Sequence, residues 1–130
     1  MSTYVREKVL RIPFEKMGLN PEEYDDVGYE LEEQFAGLFD CGTVGKFQVA
    51  PTETLFIDYV LDYEWDAYGE YGKIRVLTER EKAAYHPVFE NIYNDVNMDD
   101  VRLVEFCWYN GTEAPDYYDE ENDSFYDEIC

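Results

Sequence analysis

Histidine, cysteine and basic residues are the scarce components of this sequence. There is one histidine, His86, and there are three cysteines, Cys41, Cys107 and Cys130, in 130 residues. These four lack the paired spacing of a structural zinc site, which speaks against one. An odd cysteine count without a C-x-x-C pair points to reduced thiols in a cytoplasm, not to a disulfide framework. Cys107 stands in an apolar run and reads as a core thiol, and His86 before Pro87 reads as a residue of a helix start. No G-x-S-x-G, Ser/His/Asp or P-loop pattern is present. Asp119-x-Glu121-x-Asp123 has Ser124 where a calcium loop needs glycine and Cys130 where it needs glutamate. The residues therefore predict no enzyme, no cofactor and no metal.

Long apolar runs are also missing. No stretch approaches the 18 apolar residues of a membrane span, and Met1 to Arg11 mixes charge into its apolar residues, unlike a signal peptide. The expected setting is the cytoplasm, with no membrane partner.

Charge of one sign dominates what is there. Asp and Glu number 31 against 10 Lys and Arg, a net −21 at pH 7. A small domain needs a net charge of magnitude only about 2–8 for solubility, and an excess opposes folding by self-repulsion. Aromatic residues make up 18% of the chain, including 13 Tyr and 8 Phe, so this is not a disordered acidic chain.

The pattern predicts a single α+β domain with a mainly antiparallel sheet of four to five strands and two helices packed on one face. Tyr4 to Ile12 reads as a first strand, with Val5 and Val9 on one face and Leu10 and Ile12 on the other. Pro21 to Asp40 reads as helical, capped by Asn20 and stopped by Gly42. Thr43 to Ala50 and Thr54 to Leu61 read as a hairpin, followed by a loop from Asp62 to Gly72. Lys73 to Leu77 reads as a short strand, Thr78 with Glu81 as a capping box opening the second helix, and Asp100 to Tyr109 as the last strand. Pro87 is expected to kink that helix or start it. A ferredoxin-like topology is one possibility. The expected division is a compact domain over 1–111 and an acidic, tyrosine-rich segment over 112–130, packed on the domain or ordered on binding.

The acids are clustered. Lys and Arg are missing between Met17 and Gly45, between Phe47 and Gly72, and from Leu103 to the end, and these stretches hold 23 of the 31 acids. Tyrosine is interleaved with them: Tyr24, Tyr29, Tyr59, Tyr63, Tyr71, Tyr117, Tyr118 and Tyr126 each neighbour an acid. A tyrosine beside a carboxylate offers an arginine a ring face and a hydroxyl. The expected partner-binding residues are Asp58, Asp62, Glu64, Asp66 and Glu70 in the second stretch. In the last they are Asp116, Tyr117, Tyr118, Asp119, Glu120, Glu121, Asp123, Asp127 and Glu128.

B-DNA carries one negative charge per roughly 1.7 Å of axis, so 21 charges match about ten base pairs. Small size, this charge, abundant tyrosine and the run Tyr117-Tyr118-Asp119-Glu120-Glu121 resemble the DNA-mimic inhibitors of phages and mobile elements, of anti-CRISPR or antirestriction type. The resemblance is one of composition. It implies a protein that occupies the basic nucleic-acid groove of a bacterial defence nuclease, a CRISPR effector or restriction enzyme, as a monomer or homodimer in the bacterial host cell. It carries no nucleic acid itself. The same electrostatics would serve an immunity protein or antitoxin against a basic nuclease toxin, or an acidic regulator of the transcription machinery.

Overall fold

The structure, a computed structural model, describes residues 4–51, 55–65 and 72–109. In chain order they form β1 (Tyr4–Pro13), 3-10 turns at Phe14–Met17 and Pro21–Glu23, and α1 (Val27–Gln34). There follow β2 (Phe47–Val49), β3 (Phe56–Trp65), β4 (Lys73–Val76), α2 (Glu79–Glu90), a 3-10 turn at Met98–Asp100 and β5 (Arg102–Tyr109). The five strands make one sheet in the order β2-β3-β1-β5-β4, with every strand pair antiparallel. The chain is thus a single small α+β domain, as the sequence predicts. The order β2-β3-β1-β5, with α1 between β1 and β2 and α2 between β3 and β5 on one face of the sheet, is the ferredoxin-like topology that the sequence offers as one possibility, with β4 added at the edge beside β5.

Alternation along β1 sets the two faces of the sheet. Leu10 and Ile12 join Ile57, Phe47 and Leu103 in the larger core, where Leu31 from α1 and Phe89 from α2 cover them. Val9 faces the other way, with Val60, Val104 and Phe106. Phe47 anchors the larger core, its ring 5.2 Å from that of Phe89 and 5.0 Å from that of Tyr59. Gly18, at φ +67°, lets the chain turn off β1, and a Cβ there would sit 2.7 Å from the Tyr93 ring.

The first helical region and the third strand differ from expectation. The helix predicted over Pro21 to Asp40 is broken: Asn20 caps only the turn Pro21–Glu23, and α1 starts at Val27 with Asp26 as its cap. It ends at Gln34, well before Gly42, and Phe39 bridges to Phe47 instead. β3 runs on through Asp62 and Glu64 to Trp65, where a loop is predicted, because it pairs with β1 as far as Val5. α2 keeps the predicted capping box and holds Pro87 within its last turn. The hairpin turn at 52–54 lies outside the described residues, as does 112–130.

Candidate interaction surface

All ten Lys and Arg of the chain lie among the described residues, and most are spent on internal partners. Arg11 makes a buried two-pronged pair with Asp58, Nε to Oδ1 at 2.6 Å and Nη2 to Oδ2 at 2.8 Å. Arg75 grips Glu81 in the same way at 2.7 and 2.8 Å. Arg6 pairs with Glu64, Lys8 lies 3.9 Å from Glu105, and Lys82 reaches both Glu79 and Asp99. Lys46 donates to the Gly37 carbonyl oxygen and Arg102 to the carbonyl oxygens of Asp99 and Val101.

Uncompensated charge is left around α1. Glu22, Glu23, Asp25, Asp26, Glu32, Glu33 and Asp40 are exposed, and none has an ion-pair partner among the described residues. Local chemistry holds this backbone in place. The Asn20 carboxamide oxygen accepts the Glu22 N–H at 3.1 Å, and the Asp26 carboxylate accepts that of Tyr29 at 3.2 Å. Glu30 reaches back to accept the Asp26 N–H at 3.2 Å. Acids in a first helical turn suit the helix dipole. α1 buries Leu31 alone, so its acidic face and the exposed ring of Tyr29 are turned to solvent. The opposite charges that would normally lace such a helix are missing.

The predicted site residues fall in different places. Asp58 is a correction: its side chain is fully buried against Arg11, so it presents no carboxylate to a partner. Asp62 and Glu64 are exposed on the β3 strand. They belong to a mixed-charge cleft region, with Asp62 opposite Lys8 and Glu64 paired with Arg6. The cleft, about 450 Å³, is lined by Arg6, Lys8, Lys73, Asp62 and Glu105 among others. Asp66, Glu70, Asp116, Tyr117, Tyr118, Asp119, Glu120, Glu121, Asp123, Asp127 and Glu128 lie outside the described residues. The register places Trp65 and Trp108 on either side of Val5, so β3 and β5 finish at the same end of the sheet. The α1 acids were visible in the sequence as part of the first base-free stretch. What singles them out is that no cation folds back onto them.

Behind this surface, on the sheet face opposite the helices, sits a second polar cluster. Glu7 is 1% exposed and accepts from Gln48 Nε2 at 2.8 Å and Trp108 Nε1 at 2.6 Å. Burial first, and the charge on Asp58 second, push its carboxyl up to about 7. Burial likewise raises the Cys41 thiol, and pushes the Tyr63 hydroxyl up to about 12. Among the described residues no group of three or more His, Cys, Asp or Glu is placed to hold a metal ion, and no helix is long and apolar enough to cross a membrane.

These features define a small antiparallel α+β domain with a base-free acidic helix face. Comparison with known proteins returns no matching family model, no matching curated protein and no matching solved structure.

Proposed function

We propose that this protein is an acidic DNA-mimic inhibitor. It binds the positively charged nucleic-acid groove of a bacterial defence nuclease, a CRISPR effector or a restriction enzyme, and blocks DNA binding. The observation that carries this reading is the set of seven exposed, unpaired carboxylates at 22–40, in a stretch with no Lys or Arg. In a chain of net charge −21, internal ion pairing has drawn the cations to other surfaces.

The physics favours such a partner. Fixed carboxylates on a short helix and its capped flanks replace phosphates as counterions for Lys and Arg. Binding releases the partner's own counterions and falls steeply with salt, as DNA binding does. Long-range attraction steers the encounter and speeds association. Tyr29, 60% exposed among these acids, adds a ring face for a guanidinium.

Affinity capture from a bacterial lysate tests the proposal. The expected product is a Lys/Arg-rich nucleic-acid enzyme that duplex DNA displaces from the immobilised protein. Recovery of neutral or acidic partners alone, indifferent to DNA, would overturn it.

A further inference from the structure

Glu7 sits in the middle of β1 with its carboxyl sealed from water, and each oxygen receives one N–H. Gln48 Nε2 donates to Oε1 at 2.8 Å and Trp108 Nε1 to Oε2 at 2.6 Å. Gln48 is itself held from outside the sheet, because its Oε1 accepts the Gly42 N–H at 2.8 Å. One unbroken chain of hydrogen bonds therefore runs from the loop after Asp40, through β2, to Glu7 in β1 and on to Trp108 near the end of β5. The loop continues the acidic first stretch. Trp108 stands next to the last described residue before 110–130.

We propose that Glu7 is a proton-operated latch that ties the loop at Cys41–Gly42 to the end of β5. In the ionised state both N–H groups meet a carboxylate, and such charge-assisted bonds are roughly twice as strong as neutral ones. Burial and the neighbouring Asp58 charge outweigh that gain, so the closed cluster favours the protonated carboxyl, and it is loss of the proton that drives Glu7 toward water. Both ends of the chain then loosen together.

The surroundings allow the switch to act near neutral pH. Arg11 is engaged with Asp58 on the same face, so it offsets the Glu7 charge weakly, and Asp58 opposes it. Tyr63, opposite Glu7 on β3, and the Cys41 thiol of the loop are both shifted upward, so neither supplies a competing ionisation near pH 7. Burial and Asp58 together place the Glu7 transition at about 7. His86 is remote in the fold, on α2 in the helical layer beside Glu90.

Proton–nitrogen NMR of the full chain across pH 5–9 tests this inference independently of any partner. The Trp108 indole and Gly42 amide resonances should shift on one common curve centred near pH 7, while the 55%-exposed Trp65 indole does not follow it. Glu7→Gln should abolish the curve. Gln48→Leu should leave Trp108 titrating and release Gly42 from it. Flat resonances, separate midpoints, or a Gly42 transition that survives Gln48→Leu would overturn the latch. If Glu7→Gln does not fold, the Gln48→Leu pattern alone decides.

Discussion

Arg11 and Asp58 lie 47 residues apart in sequence and have no solvent-exposed side-chain surface in the fold. Arg11 also stacks over the Phe106 ring, with its Cζ 4.8 Å from the centroid. Removing one partner from such a pair strands a buried charge, so Asp58→Asn should destabilise the protein by about 3–5 kcal/mol. The double change Arg11→Met with Asp58→Leu should cost less than the two single changes combined. Urea denaturation of the wild type, Asp58→Asn, the two single changes of the pair and the double variant measures both. Asp58 illustrates a limit of sequence reading. It belongs to a base-free stretch, which suggested a surface acid, and nothing in its neighbourhood announces Arg11. The alternation of β3 did carry a signal, since it puts Asp58 on the side of the apolar Val60. A strand with apolar residues on both faces has both faces covered.

Glu7 makes the same point with a pH dependence attached. Its carboxyl is raised from an ordinary 4.5 to about 7. The folded state therefore holds the proton more tightly than the unfolded chain. Its contribution to stability is complete below about 4.5 and is lost as pH rises through about 7. Melting curves of the wild type should show this slope, superposed on the general effect of the other acids. Glu7→Gln should lack that component, so the difference between the two melting temperatures should vary across this window and level off above it. A constant difference would contradict the assignment.

At the scale of elements, the two helices were legible to different degrees. Thr78 and Glu81 show the T-x-x-E signature, and both reciprocal bonds form, at 3.1 and 2.8 Å. Thr78→Ala should cost about 1 kcal/mol in thermal or denaturant unfolding. Glu81, bonded first by Arg75 and then by the Thr78 N–H, is held down at about 2. Its support for α2 should be present above about 4.5 and be lost as pH falls toward 2. Asn20-Pro21 satisfies a start signal equally well, yet only one 3-10 turn follows. The reason lies in the next residues: Pro-Glu-Glu-Tyr-Asp-Asp has no apolar stripe to bury, and Tyr24 returns to extended backbone at φ −115°. The helix forms one segment later, where Asp26 caps it and Leu31 finds the core. Replacing Glu22, Glu23, Glu32 and Glu33 together by Gln should leave the fold intact. At roughly 0.2–1 kcal/mol per exposed pair, partner affinity should fall by about fourfold to several hundredfold. An unchanged affinity would move the interface away from α1.

The whole molecule carries its charge unevenly, and that arrangement is three-dimensional. Sequence showed three base-free stretches. It did not show that Asp58 is consumed internally, or that Glu64 and Glu105 are offset by Arg6 and Lys8. The pairing leaves the α1 region as the uncompensated surface among the described residues. Self-repulsion of that surface should make the melting temperature rise between low salt and about 0.5 M salt, as screening shortens to a few ångströms. The proposed inhibition requires competition with DNA for one basic groove. It is tested most directly by titrating the captured partner, bound to this protein, with duplex DNA and reading the apparent affinity. The two are expected to exclude each other, with apparent affinity falling in proportion to DNA concentration. A stable ternary complex, with affinity unchanged by DNA, would contradict it.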